Sequence, residues 1–142
     1  MLISKLEAAI RQADAAIVLF LQGDYLSSLT LAGAADDMLG SLMRQAGKAS
    51  ALDRIVIYHR PDTDPSLTAE EHRTLVASIA NRARNQSKHA GDPKETHVDV
   101  DQIHPLQMLM RAVPMVPNLG AGLTPKMVEL FEWVGAHPEA VE

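Results

Sequence analysis

Residues 67–91 read LTAEEHRTLVASIANRARNQSKHAG and predict one long amphipathic helix. Thr68 and Glu71 have the spacing of a capping box, in which each side chain accepts the backbone N–H of the other residue. Gly91 and Pro93 predict the end of the helix, since glycine suits the C-terminal turn and proline cannot continue it. At about 100° per residue, one face is apolar apart from a histidine. Its members are His72, Leu75, Val76, Ile79, Ala80 and Ala83.

The opposite face of this helix is polar and cationic. Its last two turns contain no Asp or Glu, whereas a face that is merely solvated usually mixes both signs of charge. The absence of acids favours a binding surface, and a solvated face is the alternative interpretation. The residues of this face are Ser78, Asn81, Arg82, Arg84, Asn85, Lys88 and His89.

The composition predicts a helical core. The chain has 142 residues, of which 46% are hydrophobic and only 4% aromatic. With so few aromatic residues, the core must consist mainly of aliphatic side chains. This favours helices packed on helices, because β-sheets are enriched in aromatic and β-branched residues. The length suits a single helical domain spanning residues 1–142. The formal net charge of −5 argues against nucleic-acid binding by the whole surface and leaves room for a local basic stripe.

The sequence shows no sign of export or of a membrane span. It contains no cysteine, hence neither disulfides nor thiolate metal ligands. The longest apolar run, Ala13–Leu21, is interrupted by Asp14 and is shorter than the roughly 20 residues that cross a bilayer. The N-terminus lacks the basic region, apolar core and cleavage site of a signal peptide. We therefore predict a cytoplasmic protein with no membrane contact and no cofactor.

Four other segments have the apolar period of a helix. They are Leu2–Gln22, Asp24–Ala46, Asp101–Val113 and Thr124–Val134. The segment Ala51–His59 is compatible with either a short helix or an extended piece. Together with residues 67–91, these segments predict an all-α bundle of four or five helices. We expect the second and third helices to lie near its centre.

The second helix is apolar over more of its circumference than a small bundle is expected to cover. Its Ala32, Gly33, Ala35 and Gly40 would let another backbone approach closely. Left uncovered, this surface would exceed the few hundred Å² of apolar patch that monomers usually expose. We therefore predict a homodimer that brings helix-two or helix-three surfaces together.

Asp36 lies among these small and apolar residues, where a carboxylate needs either water or a partner. One interpretation places it at the edge of the second helix, in contact with water. The other gives it a salt bridge to a cation of the third helix, for which Arg84 is a candidate. The neighbouring Asp37 falls on a polar face and is predicted to be solvated.

The connector after residue 91 contains residues that could be metal ligands. An extended backbone would set His97, Asp99 and Asp101 on one side, with His104 following. Imidazole and carboxylate are acceptable ligands for a hard or borderline ion. Because the spacing matches no specific metal motif, we predict no metal site.

Arg84, Asn85 and His89 near the end of a helix, in a small all-α chain, resemble the HEPN superfamily. That family consists of helical bundles of four or five helices, typically dimeric. Its nuclease members carry an Arg, often followed by a polar residue, and a His four to six residues later. The opening segment LFLQGDYLSSLTLAGAADDMLG, residues 84–89 and the tail LTPKMVELFEW also look like a group of uncharacterised small bacterial proteins.

The resemblance implies an RNA-binding protein with metal-independent ribonuclease activity through the 2′-hydroxyl. It assigns catalysis to Arg84, Asn85 and His89, and gives Asp36 the place of the family's helix-two acid. The neighbouring Lys88 and Arg82 would contact the RNA substrate.

The chemistry of these residues fits, since histidine moves protons near neutral pH and arginine binds phosphate bidentately. On one ideal helix, however, Arg84 and His89 lie about 140° apart, so a shared phosphate requires a loosened helix end or two chains. The alternative is a non-catalytic helical interaction or scaffold dimer, with an unknown partner protein, in which these residues are structural.

Overall fold

A computed structural model describes residues 1–141, and this range contains helices and no strand. The predicted all-α fold is therefore confirmed. The α-helices are α1 (Lys5–Leu21), α2 (Tyr25–Gln45), α3 (Ala51–Tyr58), α4 (Ala69–Ala80), α5 (Arg82–Lys88), α6 (Ile103–Ala112), α7 (Met115–Asn118) and α8 (Pro125–Ala136). Short 3₁₀ turns cover Arg60–Asp62 and Pro138–Val141. None of the helices in residues 1–141 has the length and hydropathy needed to cross a membrane.

Side-chain caps fix where most of the longer helices begin. The hydroxyl or carboxylate of each capping residue accepts the backbone N–H three residues on, which satisfies a donor that the helix itself leaves free. The capping residues are Ser4, Asp24, Ser50, Thr68 and Thr124. Capping by Asp24, Thr68 and Thr124 confirms the predicted starts of three helices, α2, α4 and α8. The first helix begins later than its predicted start at Leu2, because Ser4 is its cap.

The core forms where α2 packs between α1 and α6. Alanines of α1 allow close packing there, and larger side chains from α2 and α6 fill the remaining space. Fully buried members are Ala9, Ala13, Ala16, Ile17, Leu29, Ala32, Leu39, Met43, Leu106 and Leu109. At the edge of this core, the Trp133 ring stands edge-on to Phe20 with ring centroids 4.9 Å apart.

The predicted central position of the second helix is confirmed, and that of the third is wrong. Helix α4 lies at the periphery, where Leu75 is 42% exposed and Ile79 is 68% exposed. The centre is shared by α1, α2 and α6. Most of the apolar surface of α2 is buried within one chain, while Leu31, Met38 and Leu42 are half-buried. This weakens the reason for expecting a dimer through that helix, and the dimer itself stays a prediction.

Polar contacts attach α3 and α4 to each other as a hairpin. His72 of α4 is buried; its Nε2 donates to the carbonyl of Val56 at 2.6 Å, and its Nδ1 lies 2.9 Å from the Thr63 hydroxyl. Asp53 of α3 pairs with Arg44 of α2 at 3.0 Å and with Arg73 of α4 at 2.7 Å. Hydrogen bonding from Arg44 is the main cause that holds the pKa of the Asp53 carboxyl well below its usual range.

Candidate functional site: an arginine cavity beside an apolar groove

The predicted long helix over residues 67–91 is interrupted at Asn81, which separates α4 from α5. Asparagine is a weak helix former, and its side-chain oxygen here accepts a hydrogen bond from Arg111 Nη1 of α6 at 2.9 Å. On an unbroken helix Arg84 would lie about 80° from Val76, at the edge of the predicted polar face. In the structure both side chains are buried.

Arg84 is packed against α2 rather than presented to solvent. Its side chain is 9% exposed, and its Nη1 donates to Asp37 Oδ1 at 2.5 Å. The aliphatic part of the side chain lies over Gly33, where a Cβ atom would come 2.7 Å from Arg84 Cγ. Only the missing side chain of Gly33 permits this approach. The predicted pairing of Arg84 with Asp36 is wrong, and Asp37, though 54% exposed, is not simply solvated.

Asp36 is buried, with 5% of its side chain exposed, and it pairs with Arg111 Nη2 at 2.7 Å. Both earlier interpretations are therefore wrong, since the residue neither touches water at an edge nor bonds a third-helix cation. Burial raises the pKa of the Asp36 carboxyl, and the charge of Asp37 raises it further, while Arg111 and Arg84 act in the opposite direction. The cation supplied by α6 balances a carboxylate that would otherwise be costly to bury.

The other residues of the proposed RNA site lie on the outside. Arg82 and Lys88 are exposed on α5, and Asn85 is half-buried. His89 follows the last turn of α5 in extended conformation and is exposed. The structure thus places Arg84 in an interior ion pair and His89 in solvent, and a single chain does not bring them into one site.

Arg84 instead lines a cavity of about 400 Å³ between α5 and α6. Arg82 and Arg111 lie in the same wall and make this end of the molecule rich in guanidinium donors, and His104 lies beside them. The polar lining is completed by Gln86, Gln107 and Asp99. We call this space the arginine cavity.

Two arginines of this cavity have donors that are not used. The Nε atoms of Arg84 and Arg111 are buried and have no hydrogen-bond partner in residues 1–141, and the same holds for Asp36 Oδ1. A buried polar group without a partner costs roughly 1–3 kcal/mol. Such groups are uncommon in folded proteins, and a bound water, an ion or a functional role accounts for them.

A second and larger space adjoins the arginine cavity. It has a volume of about 930 Å³ and separates the α3–α4 hairpin from α6 and α8. Its lining is mostly aliphatic, and we call it the apolar groove. The aliphatic members are Ile55, Leu75, Val76, Ile79, Ala80, Ile103, Leu106, Met110, Val134 and Val141.

The residues considered for a metal are dispersed. In the described part of the chain, no three His, Asp or Glu side chains are grouped in a way that could hold a metal ion. His97 is exposed and bonds the neighbouring Thr96 hydroxyl at 2.7 Å. His104 Nδ1 accepts the backbone N–H of Asp101 at 3.1 Å, which is a local contact at the start of α6.

Comparisons of the chain with protein-family models, with curated proteins and with solved structures found no match. The HEPN-like relationship therefore stays a prediction from the residues quoted above.

Two residues of the site were missed by the sequence reasoning. Arg111 was not singled out, and His104 was considered only as a metal ligand. A signal for Arg111 was present, because it is the one cation in the otherwise apolar and neutral segment from Pro105 to Pro117. A lone charge in such a segment indicates a buried partner. No comparable signal links His104 to Arg84, since their proximity depends on how α5 and α6 pack.

Proposed function

We propose that this chain is a helical interaction protein that works as a homodimer, with α3 as its interface. One observation carries this proposal: α3 has no buried residue within a single chain. Ile57 is 70% exposed and Tyr58 is 76% exposed, and both are large apolar side chains. A helix of this composition normally buries its apolar face against a neighbour.

The surroundings of α3 suit a second copy of the same chain. Exposed Arg54 lies in the first half of α3, and the exposed carboxylates of Asp62 and Asp64 follow its end. A two-fold axis pairs the same surface with itself. Two antiparallel α3 helices would therefore set Arg54 of each copy toward the acidic end of the other, and the apolar residues would meet between them.

Light scattering tests the dimer. At micromolar concentration the protein should have about twice the chain mass of 15.4 kDa. The double variant in which both Ile57 and Tyr58 are replaced by Asp should have the mass of one chain. Its two new carboxylates would have to be buried without partners, which opposes association. The matched control is Val128→Asp, which changes a residue of α8 that is 43% exposed. A wild-type mass near 15.4 kDa would refute the proposal.

RNA binding by a HEPN-like protein is the second candidate function. It is favoured by the segment from His72 to Gly91, which contains no acid and exposes Arg82, Lys88 and His89. Arginine and lysine side chains supply most of the affinity of such surfaces by contacting phosphates. Cleavage in the HEPN manner would also need Arg84 to leave Asp37 and meet His89, from the same chain or from a second one.

Fluorescence anisotropy with a labelled single-stranded RNA tests this candidate. Replacing Arg82 and Lys88 with Ala should weaken binding at least tenfold at low salt. It should also reduce the salt slope by roughly 1.4, the value for two lost phosphate contacts. The control replaces the exposed Lys5 and Lys126, which removes the same charge from other surfaces. Equal losses in both variants would refute a site on α5.

A ribonuclease would in addition lose cleavage on His89→Ala with an unchanged thermal midpoint, since the imidazole is exposed. Cleavage that persists in this variant would remove His89 from the mechanism. A fall in the thermal midpoint would instead assign His89 a structural role.

A further inference from the structure

The arginine cavity and the apolar groove are parts of one concave surface. Ile79, Ala80, Gln107 and Arg111 line both spaces, so the two meet between α4 and α6. The combined surface is aliphatic at one end and lined by guanidinium groups at the other. Neither the proposed α3 interface nor the outer face of α5 accounts for this arrangement.

The groove has the size and lining of a site for a small organic molecule. Its volume of about 930 Å³ lies within the range of roughly 300–1,000 Å³ found for such sites. Leu75, Val76, Met110 and Val134 supply apolar walls from three helices. Away from the junction with the arginine cavity, the polar lining residues are His59, Asp62 and Thr63, which all follow α3. The aliphatic walls from the other helices fit a flexible aliphatic chain, whose burial is favoured by its removal from water.

The cavity at the other end suits a single negative charge. Arg84 and Arg111 have side chains only 9% exposed, and each keeps a buried Nε–H without an acceptor in residues 1–141. Arg82 adds a third cation to the wall. Asp36 and Asp37 pair with two of these arginines and Asp99 lies in the wall, so three carboxylates oppose three guanidinium groups. These charges balance, so the cavity has no excess positive charge to offset the second charge of a phosphate dianion, and a monoanion is favoured.

We propose that the joined surface binds an aliphatic monocarboxylic acid. The chain of the acid lies in the apolar groove, and its carboxylate accepts hydrogen bonds from the arginines beyond Ile79 and Gln107. Arginine is suited to this role because its planar donors match the two carboxylate oxygens. Ile55 of α3 and Asp62 after it line the groove, but the interface residues Ile57 and Tyr58 do not, so the acid site and the dimer can fail separately.

Isothermal titration of the full chain with dodecanoate tests the groove. Dodecanoate should bind at a single site. Affinity should rise about fourfold for each CH₂ added between octanoate and dodecanoate, as the burial of aliphatic carbon predicts. Ile79→Asp should weaken binding at least tenfold. The matched control is Ile57→Asp, since Ile57 is 70% exposed and Ile79 is 68% exposed, and only Ile79 lines the groove.

The head group is tested by 1-dodecanol, dodecyl phosphate and inorganic phosphate as further probes. Dodecanoate should bind at least tenfold more tightly than 1-dodecanol, because charge-assisted hydrogen bonds are stronger than neutral ones. Gln107→Glu places a carboxylate at the exposed junction of the two spaces. It should weaken dodecanoate at least tenfold and leave 1-dodecanol unchanged.

Three outcomes would overturn the proposal. Equal affinities for dodecanoate and 1-dodecanol would remove the arginines from the site. Tighter binding of dodecyl phosphate or inorganic phosphate would replace the monocarboxylate by a phosphate. Equal losses in Ile79→Asp and Ile57→Asp would show that the acid adheres to exposed apolar surface as a surfactant. A change of mass in Ile57→Asp without a change in dodecanoate binding would separate the dimer from the acid site.

Discussion

Replacing Asp36 with Ala should lower the free energy of unfolding by about 3–5 kcal/mol, the loss seen when one partner of a buried ion pair is removed. The thermal midpoint should fall by roughly 10–20 °C for a chain of this length. The reason is that Arg111 would remain in the interior without its carboxylate, since both side chains of the pair are less than one-tenth exposed. Differential scanning calorimetry and urea denaturation measure the two quantities.

Asp37 supplies a matched control because it is the next residue and carries the same charge. Its side chain is 54% exposed, against 5% for Asp36. Arg84 is only 9% exposed, but water can take the place of the exposed Asp37 carboxylate beside it, so Asp37→Ala should cost less than Asp36→Ala, about 1–3 kcal/mol. Equal losses for the two variants would contradict the burial argument. Replacing Asp36 with Leu and Arg111 with Met together should recover most of the stability, since an apolar pair leaves no charge unpaired.

Helix starts could be predicted because capping is local in sequence. Thr68 and Glu71 lie three residues apart, and the same spacing in Ser50 and Asp53 would have identified α3 as a helix. The apolar period left Ala51–His59 ambiguous because a segment of eight or nine residues is too short to distinguish two periods. The capping box is the stronger signal in this segment.

The arrangement of the site could not be predicted, because it depends on contacts between distant parts of the chain. The helical period runs through Asn81 without interruption, and the break there coincides with a hydrogen bond from Arg111, thirty positions later. Arg84 packs on α2 in an ion pair with Asp37, and His89 lies exposed after the last turn of α5. The sequence period could not show that α2 would bury one residue of the motif and leave the other in solvent.

The choice of ion-pair partner was also beyond the sequence. Asp36 and Asp37 are adjacent and identical, and only the packing of α5 and α6 on α2 assigns Arg111 to the first and Arg84 to the second. The sequence pattern identified Asp36 as a carboxylate that needs a partner and did not identify Arg111 as that partner. The pairing belongs to tertiary structure.

Replacing Gly33 with Ala should destabilise the protein by about 1–3 kcal/mol, the cost of overpacking a filled site. In an open helix the same change gains up to about 1 kcal/mol, because alanine is the better helix former. Here the new methyl group would overlap the Cγ and Cδ atoms of Arg84. The ion pair with Asp37 holds the guanidinium, so the side chain cannot move away without losing that contact.

Gly40 on the same helix is the control, since a Cβ there would meet the Cβ of Ser50 at 3.4 Å, an ordinary contact. Gly40→Ala should be neutral or stabilising by up to about 1 kcal/mol. Adding Arg84→Ala to Gly33→Ala should remove the overlap, so that the glycine change no longer costs stability in that background. A stabilising effect of Gly33→Ala in the otherwise unchanged chain would mean that Arg84 swings out of its place on α2. It would then be free to reach solvent and phosphate, as the RNA-binding candidate requires for cleavage.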